Sequence, residues 1–289
     1  MRVRWIVLVL LCACSIGHGA EAVVPTAAGS GEPSLPLADA AAPFAPTPTD
    51  AGHALEPMTA PLLDAGHPEQ PVAAATLDAG TAREGSRAVL VGQVENARDL
   101  GGVALAKAGH VRAQRLFRGP PLANLSPKDC EEVAKLGLRS VIDLRIDSEV
   151  VLKPDQACAL ENAQLWAAPL PVPYNVSAAD YIAVLDARES LMKVFELLGD
   201  ETRYPVYFHC TWGRDRTGIL AAVILLALGA NQDAIMEDYL ESRSTVGAYP
   251  ASLEAALAEI ERRGGIDAYL TAIGVPAQQL EVLRASAVQ

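Results

Sequence analysis

The sequence predicts an α/β fold with a mostly parallel central sheet flanked by helices, preceded by a disordered N-terminal linker. Between residues 87 and 289, short β-branched and aromatic runs alternate with longer apolar or amphipathic stretches, as in strands that alternate with helices. The clearest unit is a run at 206–209, a polar turn and an apolar segment at 219–228, which is typical of a buried strand, a loop and a buried helix. Residues 20–86 hold 10 of the 20 prolines and show no helix or strand periodicity, which indicates the linker.

The first 19 residues have the features of a secretory signal. Arg2 and Arg4 precede an apolar run at 5–13, and small residues follow; such a segment is too short to span a bilayer stably. The residues Leu-Cys-Ala-Cys at 11–14 resemble a bacterial lipobox, which implies a lipidated Cys14 that tethers the chain to a membrane. Cleavage after Gly19 is the alternative. We therefore expect an exported protein, either a lipoprotein of the cell envelope or a periplasmic or secreted protein.

The linker at 20–86 is rich in proline and alanine and is acidic. It carries nine acidic residues and one arginine, and the whole chain has a formal net charge of −12. A coil of this length has a root-mean-square span of roughly 45 Å, so it would hold a domain away from a surface. Because nucleic-acid binding usually needs a basic face, we expect no nucleic-acid partner.

The remaining residues, 87–289, form one expected catalytic domain. We expect strands at 87–94, 116–119, 139–145 and 163–170 around the run at 206–209, and a polar loop at 96–102. Helices are expected at 126–137 and 177–199, where Ser126 and Ser177 are suited to cap the first turn. Four more helices are expected at 231–242, 251–263, 268–273 and 276–283. This order predicts that the loop after residue 209 lies at the carboxyl end of its strand.

The loop between the strand at 206–209 and the next helix carries the strongest chemical signal. The first turn of a helix has unpaired N–H groups and the positive end of the helix dipole, so it attracts anions. Cys210 lies at the mouth of this loop, where that field favours the thiolate. Arg216 follows six residues later and can offer its planar guanidinium to two oxygens of a phosphate. The pair would place a nucleophile beside an anion-binding group.

The full string from His209 to Gly218 is HCTWGRDRTG. It resembles the signature HCxxGxxR, followed by Ser or Thr and Gly, of the protein tyrosine phosphatase superfamily. The resemblance implies a phosphatase-like fold, Cys210 as the nucleophile, Arg216 as the main phosphate ligand, and neither metal nor cofactor. It also implies that Thr217 hydrogen-bonds the thiolate and that His209 orients the loop. The residues expected to surround the phosphate are Thr211, Trp212, Gly213, Arg214, Thr217 and Gly218.

Two further strings resemble one bacterial and fungal branch of this superfamily, that of the mycobacterial secreted tyrosine and phosphoinositide phosphatases. The string NARDLGG, which contains Arg98 and Asp99, matches the branch's NxRDLGG, and Asp143, Arg145 and Glu149 match its DLRxxxE. The resemblance implies that these residues help to build or support the active site. Local ion pairs that fix a loop or a strand end are the alternative, and both roles can hold. The resemblance covers about residues 88–289.

The general acid has two candidates in the sequence. Many members of the superfamily carry it in a Trp-Pro-Asp tripeptide, which is absent here. Asp180 has the usual separation from the cysteine, but it also suits the first turn of its helix. Members of the branch with HCxxGKDR carry an Asp directly before the Arg, and the equivalent residue here is Asp215, which we prefer.

We expect hydrolysis of phosphate monoesters through a phosphocysteine intermediate, on phosphotyrosine or dual-specificity protein substrates. A phosphoinositide or inositol polyphosphate is the alternative substrate, because Arg214 keeps a cation in the loop where Lys is usual, while Trp212 shapes the approach. The Arg-Thr-Gly ending argues against a rhodanese-like sulfurtransferase or an arsenate reductase. A phosphate-binding module without turnover would typically lack Cys210, Arg216 or the acid.

Three cysteines lie beyond the signal segment: Cys130, Cys158 and Cys210. In an oxidising compartment an odd number leaves a free thiol or an intermolecular partner. Cys130 and Cys158 can pair with each other, and two separate buried thiols are the alternative.

Overall fold

The computed structural model describes Arg87 and residues 94–289. The expected signal segment, the linker at 20–86 and most of the strand expected at 87–94 lie outside the described residues. The domain boundaries expected there and the lipidation of Cys14 therefore stay predictions.

The described residues contain one five-stranded sheet in the order β1-β2-β5-β3-β4. Its strands are β1 (Arg98–Asp99), β2 (Leu116–Gly119), β3 (Ser140–Asp143), β4 (Gln164–Ala167) and β5 (Val206–His209). The central strand β5 runs parallel to β2 and β3, and β4 runs parallel to β3. β1 pairs antiparallel with β2 at the edge. This mostly parallel sheet confirms the predicted fold class.

The register of the sheet brings three strand ends together. His209 at the end of β5 is opposite Gly119 of β2 and opposite Asp143 of β3. The carboxyl ends of parallel strands are where ligands bind in open α/β sheets. The loop that follows His209 therefore starts at this edge.

Nine α-helices flank the sheet in the part of the chain that the structure describes. Ser126, Ser177 and Asn231 accept hydrogen bonds from N–H groups of the first turns that follow them, so they cap these helices. Among the described residues no helix combines the length and apolarity that a membrane span requires. The helices are α1 (Pro127–Lys135), α2 (Asp147–Leu152), α3 (Ala178–Val184), α4 (Arg188–Leu198), α5 (Asp215–Leu228), α6 (Gln232–Leu240), α7 (Pro250–Arg262), α8 (Gly265–Ile273) and α9 (Ala277–Ala287).

The signature helix α5 lies in the core. All of its residues except Leu226 are buried, in keeping with the nearly continuous apolar run at 219–228. It packs against β2 and β5 on the sheet and against α3, α6, α7, α8 and α9. Because α5 is held on all sides, its N-terminus is a rigid base for the loop that precedes it.

The structure corrects the prediction of one helix at 177–199. The chain forms two helices, α3 and α4, with a break at 185–187. The Tyr269 hydroxyl donates to the Leu185 carbonyl at 2.8 Å, and Arg263 pairs with Asp186 at 2.8 Å. α3 packs against α7, whereas α4 packs against α8 and α9. The apolar residues of the two helices thus pack against different neighbours. These tertiary contacts break the helix at 185–187, although the apolar spacing of the sequence favours one continuous helix.

A second correction concerns the segment at 96–102, which was expected to be a loop. Arg98 and Asp99 form strand β1 and pair with Arg118 and Phe117 of β2. The polar composition of this segment hides the strand, because a short edge strand needs few apolar residues.

The cysteines settle one open alternative. Cys130 and Cys158 form a disulfide between α1 and the 3-10 turn Ala157–Ala159. Cys210 is the free cysteine of the described residues, and it is buried.

Candidate active site

Residues 210–214 connect the carboxyl end of β5 to the N-terminus of α5. Gly213 in this loop has a φ of 65°, in the left-handed region that favours glycine. A Cβ atom at Gly213 would lie 2.4 Å from the carbonyl carbon of Gly119, which is closer than atoms can approach. The loop therefore lies directly against the backbone at the end of β2, and the sequence needs glycine at this contact.

Two side chains hold carbonyl groups of the loop from outside. The Asn96 amide donates to the Trp212 carbonyl at 3.1 Å, and the Arg118 guanidinium donates to the Gly213 carbonyl at 2.9 Å. The C=O and N–H of a trans peptide point in opposite directions, so the N–H groups of Gly213 and Arg214 point away from these partners. Successive N–H groups on one side of a loop form an anion-binding nest.

Arg216, in the first turn of α5, is buried and paired with Glu149 of α2. Its two terminal nitrogens donate to the two oxygens of Glu149, each at 2.6 Å, which is the bidentate geometry typical of arginine–carboxylate pairs. The Thr211 hydroxyl also donates to Glu149. Burial alone would raise the pKa of Glu149, but the hydrogen bonds from Arg216 and Thr211 outweigh it and lower that pKa to about 2. Glu149 is therefore an anion that fixes Arg216 and Thr211 together.

One donor of Arg216 is left for a ligand. Its Nε is buried and has no hydrogen-bond partner among the described residues, although buried donors normally have one. Glu149 occupies the terminal nitrogens, so the Nε edge is available to an oxygen of a bound phosphate. The hydroxyl of Thr217 is also buried without a partner in the described part of the chain, which leaves it free for the expected bond to the Cys210 sulfur.

Asp215, the first residue of α5, is buried and receives three hydrogen bonds. Arg214 donates to both carboxylate oxygens, from Nε at 2.8 Å and from a terminal nitrogen at 3.0 Å. The Tyr181 hydroxyl donates to Oδ1 at 2.5 Å. These contacts fix the orientation of the Asp215 carboxylate beside the loop.

Arg214 is turned toward Asp215 and toward residues 246–249. Besides the contacts to Asp215, it donates to the Val246 carbonyl and lies over the Tyr249 ring, 4.6 Å from the ring centre. Burial lowers the pKa of Arg214, but the bonds to Asp215 outweigh this effect and raise it. The phosphate contact predicted for this side chain would therefore require these interactions to break.

Asp180, the other candidate acid, is the partner of the N-cap Ser177 in the capping box of α3. One of its carboxylate oxygens accepts from the backbone N–H and the hydroxyl of Ser177, at 3.1 and 3.0 Å, and from the Asn175 N–H at 3.0 Å. These bonds, chiefly that from the Ser177 backbone, lower the pKa of Asp180. The cap accounts for this residue, and Asp215 stays our predicted acid.

Arg98 supports the loop through a buried carboxylate, Asp238 of α6. Asp238 accepts from Arg118 at 2.5 Å, from Arg98 at 3.1 Å and from Arg87 at 3.0 Å. Burial would raise the pKa of Asp238, but the three arginines outweigh it and lower that pKa. Because Arg118 also holds the Gly213 carbonyl, the cluster positions the loop.

His209 lies between two buried carboxylates. Asp143 Oδ1 is 3.8 Å from Nδ1, and Asp155 Oδ2 is 3.2 Å from Nε2. Arg145 pairs with the same two carboxylates at 2.7 and 3.0 Å. Among the described residues, Asp143, Asp155 and His209 are the group that could hold a metal ion. Because the carboxylates face opposite ring nitrogens and already bind a guanidinium, the group fits an ion-pair network better than a metal site.

Three other predicted site residues, Asp99, Gly218 and Trp212, each have a separate role. Asp99 accepts from two backbone N–H groups, at 2.8 and 2.6 Å, so it fixes the chain after β1. A Cβ at Gly218 would lie 2.8 Å from the Tyr239 ring, so this glycine makes room for a tyrosine. Trp212 is 58% exposed at the tip of the loop, where its indole can meet a substrate.

Several residues that support the loop were not among the predicted site residues. Arg118 carried a signal, because it is a charged residue in an otherwise apolar strand and such a residue must be paired if it is buried. Asn96 also carried a signal, because it is the first residue of the NARDLGG string. The others come from distant segments and carry no local pattern; they are Asp155, Tyr181, Asp238 and Tyr239.

Comparison with known proteins places this site in a family. The tyrosine phosphatase family matches residues 89–289. A protein of Cupriavidus necator assigned as a tyrosine-protein phosphatase is 36% identical over 169 residues, covering 52% of this chain and 60% of the relative. The tyrosine-protein phosphatase of Nostoc commune is 24% identical over 222 residues, covering 62% of this chain and 76% of the relative. The triple specificity protein phosphatase PtpB of Mycobacterium tuberculosis is 42% identical over 60 residues, covering 21% of each chain.

The match to the first of these relatives spans 60% of that protein's length. The family match is longer, because it runs from residue 89 to residue 289 of the 289 residues and so includes the sheet, the loop and every helix that the structure describes. The chain belongs to the tyrosine phosphatase family.

Proposed function

We propose that this chain is a cysteine-dependent phosphatase that hydrolyses phosphate monoesters, with phosphotyrosine in proteins as its first substrate class. The observation that carries the proposal is the pairing of a buried free Cys210 with a buried Arg216 whose Nε has no partner in the described residues. Cys210 begins the loop that precedes α5, and Arg216 lies in the first turn of α5. Membership of the tyrosine phosphatase family supports it.

The first step is attack by the Cys210 thiolate on phosphorus. The S–P bond forms as the ester P–O bond breaks, and Asp215 gives a proton to the leaving oxygen. Arg216 and the N–H groups of the loop bind the other phosphate oxygens and stabilise the charge of the transition state. Glu149 holds Arg216 in place for this role.

The second step is hydrolysis of the phosphocysteine. Asp215, now a carboxylate, takes a proton from water as the oxygen of that water attacks phosphorus and the S–P bond breaks. Thr217, whose hydroxyl has no partner among the described residues, donates to the departing thiolate. Phosphate then leaves and the loop returns to its starting state.

The contacts of Arg214 favour a substrate with one phosphate. Its guanidinium is engaged by Asp215 and the Val246 carbonyl, whereas the Nε of Arg216 has no partner among the described residues. The exposed indole of Trp212 suits stacking on a phenol ring. An inositol polyphosphate or phosphoinositide is the second candidate, since a second phosphate could draw Arg214 from Asp215.

The test is phosphate release by the purified full chain in a chelating buffer, beside Cys210→Ser. The substrates are a phosphotyrosine peptide, a phosphoserine peptide, a phosphoinositide and inositol hexakisphosphate. We expect release from the phosphotyrosine peptide to be fastest and to vanish in the variant. Binding without release by the wild type would refute the enzyme and favour a phosphate-binding module.

We also propose export with a lipid anchor on Cys14. The signal-like residues 1–19 support it, and so does the Cys130–Cys158 disulfide, because disulfides persist in oxidising compartments. Labelled fatty acid should enter the wild-type chain and not Cys14→Ser, which should leave the membrane fraction. Equal labelling of both chains would refute the anchor.

A further inference from the structure

A buried chain of hydrogen bonds ends on the carboxylate of Asp215. Tyr181 of α3 donates to Oδ1 of Asp215 at 2.5 Å, and its hydroxyl lies 2.7 Å from that of Tyr239 in α6. The Tyr239 hydroxyl in turn accepts from the backbone N–H of Tyr249 at 3.0 Å. Tyr181 and Tyr239 are 0% and 1% exposed, so the chain is shielded from solvent.

One direction of these bonds satisfies every group. The Tyr249 N–H donates to Tyr239, so the Tyr239 hydroxyl donates to Tyr181, and the Tyr181 hydroxyl donates to Asp215. The opposite direction would leave the Tyr239 hydrogen without an acceptor. Hydrogen bonds aligned in one direction strengthen one another, and the last one is assisted by the charge of the carboxylate.

The tyrosines are suited to stay donors. Burial, together with the charge of Asp215, raises the pKa of Tyr181, so its hydroxyl keeps its proton. Gly218 makes the arrangement possible, because a Cβ there would lie 2.8 Å from the Tyr239 ring. The last glycine of the signature is thus explained by this tyrosine.

The two partners of Asp215 differ in freedom. Arg214 has 13% of its side chain exposed and lies on the loop itself, so it can turn toward an incoming anion. Tyr181 is fully buried on another helix and cannot follow. Tyr181 is therefore the contact that keeps Asp215 in place when Arg214 moves.

We propose that Tyr181 is a positioning residue for the proton transfer by Asp215, with Tyr239 as its support. The proposal rests on the proposed phosphatase activity. As the P–O bond breaks and Asp215 gives its proton to the leaving oxygen, the bond from Tyr181 to Oδ1 stabilises the carboxylate that forms. The other oxygen, Oδ2, accepts from Arg214 at 3.0 Å and faces the leaving group once Arg214 turns away.

The test compares Tyr181→Phe with wild type in the full chain on two substrates. Phenyl phosphate has a leaving group like tyrosine, with a pKa of about 10, and needs the proton. 2,4-Dinitrophenyl phosphate has a far more acidic leaving group that departs without one. We expect kcat/KM to fall about tenfold for phenyl phosphate and less than about twofold for dinitrophenyl phosphate.

Tyr204→Phe is the matched control. It also removes a buried hydroxyl, one that donates to the Leu198 carbonyl at 2.7 Å, and it should leave kcat/KM unchanged for both substrates. In an Asp215→Asn background, Tyr181→Phe should cause no further loss, because the two residues act as one unit. Equal loss on both substrates, additive loss in the double variant, or no loss at all would overturn the proposal.

A variant that does not fold and a failure of the proposed phosphatase activity can both be distinguished from a failure of this proposal. If Tyr181→Phe does not fold, as judged by thermal unfolding, Tyr239→Phe takes its place: loss confined to phenyl phosphate supports the proposal, and equal loss on both substrates overturns it. If wild type turns over neither substrate, or Cys210→Ser retains the activity, the proposed function itself has failed.

Discussion

Replacing Glu149 by Gln removes the charge that pairs with Arg216 and keeps the size of the side chain. The pKa of Glu149 is lowered from 4.5 to about 2. One pKa unit corresponds to 1.36 kcal/mol, so this difference corresponds to roughly 3 kcal/mol of stabilisation of the charged form. Since 21% of the Glu149 side chain is exposed, water screens part of this interaction. We expect the variant to lose about 2 kcal/mol of unfolding free energy at pH 7.

The effect has a defined pH dependence. The folded-state pKa of Glu149 lies below its ordinary value, so its stabilisation is present above pH 4.5 and is lost as the pH falls toward 2. The difference in unfolding free energy between wild type and Glu149→Gln should be equal at pH 7 and pH 6 and should shrink below about pH 5. Urea unfolding at pH 7, 6, 4 and 3 measures it.

Glu259→Gln is the control for this experiment. The pKa of Glu259 is also lowered to about 2, by hydrogen bonds from Arg262 and Arg263, but Arg262 is 72% exposed and the pair is screened. We expect a smaller loss of stability and unchanged activity, whereas Glu149→Gln should lower kcat/KM about tenfold because Arg216 loses its anchor. The same loss in both variants, or a wild-type advantage that stays constant down to pH 3, would refute the reasoning.

Three other variants test the support of the loop and the fold. Gly213→Ala should lower the free energy of unfolding, measured in urea, by at least about 2 kcal/mol, because its Cβ would meet backbone at 2.4 Å. Gly137→Ala, also at positive φ but with open space around the Cβ, should lower it by about 1 kcal/mol. Equal losses in the two variants would contradict the close contact. Asp238→Asn should lose about 3–5 kcal/mol because three buried or half-buried arginines lose their counter-charge, and a loss under about 1 kcal/mol would contradict this role. Replacing both Cys130 and Cys158 by Ala should cost about 3–4 kcal/mol, as for a link between residues 28 apart, and unchanged stability in non-reducing urea would contradict a disulfide.

Most of the fold was predictable because its strands and helices have local signals. The strand expected at 116–119 is β2, and the one expected at 139–145 contains β3. The caps at Ser126 and Ser177 begin helices as predicted. The break between α3 and α4 was not predictable, since it depends on Tyr269 and Arg263, which lie more than 70 residues further along the chain.

The candidate site also has a part that the local sequence predicts and a part that depends on long-range contacts. The nucleophile, the arginine and the glycine at the close contact lie within one short string, whose spacing is set by the loop itself. The groups that hold this string are brought in by the fold from other segments: Asn96 and Arg118 bind its carbonyls, and Tyr181 binds its aspartate. The sequence singles out the string that begins at Asn96 and the lone charge of Arg118 in its strand, but without long-range contacts it does not show that they bind this loop, and it gives no sign of Tyr181.

The three arginines at Asp238 determine how far the chain can be truncated from its N-terminal side without loss of support for the loop. Arg87 joins that cluster through its side chain, and its carbonyl accepts from the Asp99 N–H at 3.0 Å, so it touches the machinery that holds the loop although it lies eleven residues before β1. A truncated chain that begins at β1 would keep the five described strands and every residue of the signature and still have a weakened site. Arg87 thus belongs to the cluster that holds the loop, and a truncation that removes Arg87 should weaken the support of the loop that carries Cys210.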